Sequence, residues 1–418
     1  MLGRMRRDAA EIFREALFEM LPGRAVKRSL ANARLRDNII LIGIGKASWT
    51  MAKAASEELK ERIVCGAIVT KYRHSGGPLS GIEIFEAGHP LPDSNTLKAT
   101  ERILEITRKA GRYQTILFLV SGGGSALFEK PAPGLSLRSL SDVTSRLLLG
   151  GADICELNTV RKHLSSIKGG RFANHCMPAE IFQITLSDVL GDKLDMIASG
   201  PAAPDPSSSQ EALSILMKYG IPLSTNLESA IRSETPKSLD NVSFEIAGNI
   251  AGLCRAAKKA AEKRGYISKI VTESLEGEAR LTGAAVAEHS KGEMNSPGSG
   301  KAKRCLIWGG ETTVKVKGSG NGGRSQELAL AAAEKLSGSK NIVILSAGSD
   351  GTDGPTDAAG GIVDGLTWKK ISAAGREPME MLEDNDSYNA LSISGSLFKT
   401  GPTGTNVNDL VIALGENL

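Results

Sequence analysis

The sequence predicts an α/β protein of two domains. Three observations carry that prediction. Five apolar runs each end in a glycine-rich turn bearing a charge or a hydroxyl, at residues 39–46, 116–125, 244–249, 306–311 and 342–351. Strand-like and helix-like segments alternate through both halves. The length, 418 residues, exceeds what one ordinary core accommodates. A short apolar run reads as a buried parallel strand, and a glycine turn after it lets backbone approach a ligand closely. Ligands of open α/β sheets sit beyond the carboxyl ends of the strands. The pattern therefore predicts several anion-facing loops on that edge.

Taken in order, Ile12, Ala16 and Met20 recur at helical spacing and predict a surface helix over residues 5–20. The first glycine turn leads into an Ala-rich helix, from Ala47 to Arg62, followed by the strand Ala67-Ile68-Val69-Thr70. Pro92-Asp93-Ser94 starts a helix whose buried side carries Leu97, Leu104 and Ile106. Leu137, Leu140, Val143 and Leu147 mark another helix, and residues 181–186 the next strand. This is the alternation of a βαβ sheet with helices on both faces. Pro201, Pro204 and Pro206 mark a long loop, and the polar stretch 233–241 sets a domain boundary. The predicted domains are 1–240 and 241–418. Strands in the second half are predicted near 244–247, 268–272, 304–308, 313–317, 342–346 and 410–414. Residues 292–303 read as an exposed, mobile polar loop.

Composition narrows the function classes. Hydrophobic residues make up 41% and charged residues 23%, ordinary for a globular protein. A net charge of +4 and 4% aromatics argue against a nucleic-acid surface. No apolar run approaches the roughly 20 residues that span a bilayer. Arg4, Arg6 and Arg7 are followed by Asp8, Glu11 and Glu15, so no signal peptide is read. Five scattered cysteines without zinc or redox spacing suit a reduced cytoplasm.

Gly43-Ile44-Gly45-Lys46-Ala47-Ser48 resembles the opening of a dinucleotide fingerprint, with Ser48 where the third glycine would stand. Ala47 after Lys46 excludes a Walker A loop. An acid at the end of the second strand would bind an NAD ribose. Thr70-Lys71-Tyr72-Arg73 stands there instead, which disfavours NAD and leaves a phosphorylated dinucleotide open. Lys46 sits at a predicted helix start, where the macrodipole disfavours a cation by roughly 0.3–1 kcal/mol. An anion between the helix amides and the ammonium turns that penalty into an attraction. Arg324 repeats the placement within residues 321–328. Two such cations predict one anionic ligand shared by the two domains.

Ser121, Gly122, Gly123, Gly124 and Ser125 follow the most hydrophobic strand. Successive glycines present a row of backbone N–H groups, which suits a phosphate or an anionic intermediate. Lys168-Gly169-Gly170-Arg171 reads equally as a solvated basic face or as ligand contacts. The acids fall into three groups: Asp188 with Asp192, then Glu311, then Asp350, Asp353 and Asp357. None has calcium-loop spacing, and nucleotide-bound magnesium needs only one or two carboxylates. Aspartate is also a common turn residue. His89 reads as a site residue or as a buried turn histidine.

Together these segments resemble the class II glycerate 2-kinase family. The carrying residues are Gly43 to Ala47, Gly88 to Asp93, Ser121 to Ser125, Asn158 to Ser165, Lys168 to Arg171, Ser187 to Asp192 and Ile197 to Pro201. In the second half, Gly309 to Thr313, Asn321 to Glu327, Ser349 to Gly354 and Thr403 to Asp409 resemble the family's C-terminal MOFRL domain. The resemblance implies a Rossmann-like three-layer α/β/α N-terminal domain, a smaller α/β C-terminal domain and an active site in the cleft between them. It implies ATP- and Mg²⁺-dependent transfer to the 2-hydroxyl of D-glycerate, with Lys46 and Arg324 matching the catalytic lysine and arginine. On this reading Gly45, Lys46 and Ser121, Gly122, Gly123, Gly124 and Ser125 hold the nucleotide. Lys168, Arg171 and Arg324 contact substrate. Asp188 or Asp192 holds the metal or orients the hydroxyl, with Asp350 in reserve. The rivals are an NAD(P)H-dependent hydroxypyruvate reductase and a non-catalytic sensor of phosphorylated sugars. The expected setting is cytoplasmic, with no nucleic-acid or membrane partner and a monomer or homodimer left open.

Overall fold

The computed structural model describes residues 1–294 and 302–416 and builds them around two six-stranded sheets. The first contains β1 (Ile39–Ile44), β2 (Ile63–Lys71), β3 (Ile82–Ala87), β4 (Thr115–Val120), β5 (Glu180–Leu186) and β6 (Val242–Gly248). Their order is β3-β2-β1-β4-β5-β6. The pairs β2/β3, β1/β2, β1/β4 and β4/β5 are parallel. Every residue of β1 and β4 is buried, which is why both read as unbroken apolar runs. Ile44 pairs with Val69 on one side and Val120 on the other, so β1 and β4 finish level and β2 runs two residues further. The strand order reverses between β1 and β4. That is the topological switch point, where doubly wound sheets bind ligands.

Helices cover this sheet. Ser94–Arg108 begins at the Asp93 cap, whose carboxylate accepts from the Asn95 and Thr96 amides at 2.9 and 3.0 Å. Thr96 returns the contact to the Asp93 amide at 3.1 Å. Beneath it, Phe172 packs on Phe118 and Phe128 with ring centroids 4.9 and 5.2 Å apart.

The second sheet contains β7 (Ile267–Leu275), β8 (Lys303–Gly310), β9 (Ile342–Gly348), β10 (Gly360–Asp364), β11 (Leu397–Phe398) and β12 (Asp409–Glu416). Its order is β11-β10-β9-β12-β8-β7, and only β7/β8 is parallel. The strand expected at 313–317 does not form. Thr313 makes an isolated bridge to Glu278, and Val316 points into solvent. In its place stands β10, whose paired glycines hid it. A Cβ on Gly360 would lie 1.9 Å from the Ser346 carbonyl oxygen, so only glycine fits there.

The chain divides into Pro22–Ala247 and Met1–Leu21 with Gly248–Leu418, here the first and second units. This division differs from the domains read as 1–240 and 241–418. A cut after 240 removes β6 from its sheet, and the N-terminal helix Leu2–Glu19 belongs to the second unit. There Phe13 meets Phe398 edge-on at 5.3 Å, and Tyr266 donates to Asp8 at 2.7 Å. Of the loop read over 292–303, Gly292 lies in the helix Ala279–Met294 and Lys303 opens β8, while 295–301 fall outside the described residues.

Candidate functional site

In the first unit the turns leaving β1 and β4 are stitched together. Gly45 takes φ +107°, and a Cβ there would lie 2.3 Å from the Ser121 carbonyl oxygen, so glycine is required. The Lys46 amide donates to the Gly122 carbonyl at 2.9 Å. The Ser121 hydroxyl accepts from the Ala47 amide at 3.1 Å and donates to the Ile44 carbonyl at 3.3 Å. Ser121 is thereby buried and holds the turns together, and its hydroxyl is not offered to a ligand. Ser125 is similarly engaged, 3.0 Å from the Ser199 hydroxyl.

Between those serines the turn is bare. Among the described residues no acceptor takes the amides of Gly122 and Gly123. Three side chains close on this surface. A Cβ on Gly122 would stand 2.5 Å from Asp188 Oδ2 and 3.7 Å from Lys46 Cε. One on Gly123, at φ +86°, would stand 3.0 Å from His89 Nε2 and 3.2 Å from Lys46 Cγ. A cation, a carboxylate and an imidazole thus meet two unspent N–H groups at the switch point. Burial holds the His89 imidazole below its usual pKa, and Lys46, Lys71 and His74 push it the same way. Burial, then Lys71, also lowers that of His74. The local field is positive, and both rings are neutral near pH 7. His89 was singled out in the sequence only by its proline-flanked turn; His74 carried no signal.

Lys168 and Arg171, read as substrate contacts, both have partners within their own unit. The Lys168 ammonium is buried and donates to Glu129 Oε2 at 2.6 Å, the Ser125 carbonyl at 2.7 Å and the Phe128 carbonyl at 3.2 Å. Its three protons have partners. Arg171 spends its guanidinium on the carbonyls of Lys162, Ser165 and Ser233 at 2.6–2.8 Å. Both cations fasten the loops behind the glycine turn.

Arg324, in the second unit, opens the helix Arg324–Leu336 after Gly323. Its Nε and Nη2 fork onto Asp409 at 2.6 and 3.0 Å, and Nη1 reaches Glu311 at 2.6 Å. Asp353 accepts the Ser325 and Gln326 amides at 3.2 and 2.8 Å. The cation at the helix start is therefore balanced by three acids of its own unit, in addition to any anion it meets. Burial pushes the Asp409 carboxyl up to about 6, against the pull of Arg324. Asp409 was legible only through the family resemblance.

Of the metal candidates, Asp188 alone is seen at the turn. Asp192 lies on the same loop at φ +51°. Asp350 belongs to the other unit, where it accepts the Thr352 amide at 3.0 Å in a tight turn. Among the described residues no three His, Cys, Asp or Glu side chains gather as a metal cage. Magnesium carried by a nucleotide asks less, since phosphates and waters complete its shell around one or two carboxylates. Asp188 fits that demand.

A doubly wound sheet with a lysine-bearing, amide-rich turn at its switch point defines an α/β protein built to hold an anion there. Residues 8–233 match the family described as a domain of unknown function (DUF4147), and residues 304–409 match the MOFRL family. D-glycerate 2-kinase of Thermotoga maritima is 52% identical over 98% of both chains. Glycerate 2-kinase of Pyrococcus horikoshii is 41% identical over 91% of this chain and 88% of its own. A crystal structure of glycerate kinase from Thermotoga maritima superposes with a TM-score of 0.95 at 52% identity, covering 99% of this chain and all of the other. The chain belongs to the glycerate kinase family with a MOFRL domain. Relatives named for hydroxypyruvate reductase stand at 37% identity, and the kinase reading is favoured over that one. No helix among the described residues is long and apolar enough to cross a membrane.

Proposed function

We infer that this chain transfers the γ-phosphoryl group of ATP to the 2-hydroxyl of D-glycerate, giving 2-phosphoglycerate. One observation supports this above the others. Lys46 and Asp188 flank the two unspent amides of Gly122 and Gly123 at the switch point. Phosphoryl transfer asks for positioning and charge neutralisation more than for covalent help. The two amides receive phosphate oxygens, and Lys46 neutralises the group in flight. Asp188 is the residue that would hold Mg²⁺, which when bound withdraws charge from the phosphate oxygens. Neutral His89 accepts the proton of the attacking hydroxyl.

Arg324 receives the glycerate carboxylate. Asp409 is buried and grips it through a fork, whereas the Glu311 side chain is 42% exposed and holds it by one contact. The incoming carboxylate takes the place of Glu311, and the fork to Asp409 keeps the guanidinium aimed. Phosphorus NMR of the product formed from ATP and D-glycerate tests the reading. A resonance coupled to the C2 proton is expected. No product, or a phosphate on C3, overturns it.

A further inference from the structure

A cavity of about 300 Å³ opens beside the glycine turn, within the first unit. Ser125, which ends the turn, and Pro90, which follows His89, both line it. Its space therefore adjoins the group formed by Lys46, His89 and Asp188. Pro90, Pro92, Leu140 and Val160 give it apolar walls, with the polar Ser141, Asp142 and Thr144 among them. Glycerate carries a carboxylate and two hydroxyls on three carbons. A molecule that small would leave much of a cavity of about 300 Å³ unfilled and its apolar walls unmatched. A flat heteroaromatic ring with an attached sugar matches both the size and the lining.

Among the polar groups of its lining is one half-buried cation. Arg161 projects from the helix Ile154–His163, half buried, and lines the cavity. Among the described residues no hydrogen bond or ion pair engages its guanidinium. The acid that it senses electrostatically is Glu129, whose two oxygens already serve Lys168 and Ser165 at 2.6 Å each. A planar, weakly hydrated guanidinium without a carboxylate partner is suited to stack on an aromatic ring.

We propose that this cavity receives the base and ribose of the nucleotide, with Arg161 stacked on the base and the triphosphate running to the Gly122–Gly123 amides. The proposal rests on the nucleotide-dependent kinase reading and adds to it the site of base recognition.

Three variants test it: Arg161→Ala, Arg161→Lys and Ser141→Trp, the last filling the cavity from a half-buried wall position. ATP and inorganic tripolyphosphate are titrated calorimetrically into each, after circular dichroism has established the native fold. The KM for glycerate is measured alongside. Each variant is expected to weaken ATP about tenfold. Tripolyphosphate, which has no base, is expected to bind as before, and the KM for glycerate to stay within about twofold. Unchanged ATP affinity in Arg161→Ala and Ser141→Trp overturns the proposal. So does an equal loss for tripolyphosphate, which would assign Arg161 to the phosphates, or a rise in the glycerate KM alone. A wild-type protein that binds ATP but makes no ADP with glycerate refutes the kinase reading instead, and the ATP titrations still decide the cavity.

Discussion

Replacing Gly122 with alanine adds one methyl group to the turn and changes nothing else. The new carbon would stand 2.5 Å from Asp188 Oδ2, where ordinary contact begins near 3.4 Å. The carboxylate must therefore retreat by nearly an ångström. Lys46 Cε, at 3.7 Å, need not move. Gly122 is not among the residues with positive φ, so the backbone accepts the methyl without strain. A displacement of about 1 Å at a reacting centre costs on the order of a hundredfold in rate, or about 2.7 kcal/mol. We expect Gly122→Ala to lower kcat by about that factor while the thermal midpoint stays near that of the parent. A coupled assay for ADP with saturating glycerate and ATP reads the effect. The double variant with Asp188→Ala isolates its cause, because a methyl that acts by moving Asp188 has little left to do once the carboxylate is gone. If kcat of Gly122→Ala stays within about threefold of the parent, or if the two losses simply multiply, Asp188 does not work from this turn.

Four further outcomes follow from the same geometry. Lys46→Ala should cut kcat by about 10²–10³-fold without unfolding the chain, as read by ADP release and circular dichroism; near-normal turnover removes Lys46 from the mechanism. Glu311→Gln should lower the KM for glycerate, since the substrate carboxylate then displaces a neutral amide from Arg324; a raised KM would make Glu311 a support of the site. Lys168→Ala leaves Glu129 charged and buried, which costs about 3–5 kcal/mol and on the order of 10 °C in thermal midpoint; a retained midpoint with a raised glycerate KM would return Lys168 to the substrate. The depressed pKa values of His74 and His89 mean that the unfolded chain binds protons there before the folded one does. Their contribution to stability is complete above the unfolded value of about 6.5 and is lost as pH falls through the folded values below it. Thermal midpoints between pH 7.5 and 5 should therefore fall more steeply for the parent than for His89→Gln, and parallel curves would refute this.

The sequence made some features readable and concealed others for physical reasons. β1 and β4 announce themselves because a strand covered on both faces is mostly apolar, and the glycine after each marks the turn. The switch-point turn is local, so Lys46 and the glycines beside it could be found without coordinates. Lys168 could not be placed, because a lysine beside glycines looks the same whether it faces water or a buried acid. Its partner, Glu129, lies 39 residues away. The acids that hold Arg324 were hidden in the same way, since Asp409 stands 85 residues downstream. Ser121 read as a ligand donor because a hydroxyl near glycines is ambiguous until its neighbours are known. β10 was missed because Gly360 and Gly361 carry no β-forming signal, although the close approach of the Ser346 carbonyl demands Gly360.

The helix Leu2–Glu19 precedes the unit Pro22–Ala247 in the chain, yet the surfaces that shelter its apolar side, including Phe398, follow that unit. The unit Pro22–Ala247 is one uninterrupted stretch of sequence inserted within the other unit. A fragment limited to Pro22–Ala247 can therefore be expressed by simple truncation, whereas the other unit needs Leu21 spliced to Gly248 by a designed connector. An N-terminal deletion, however short it looks on a map, uncovers the core of the C-terminal half.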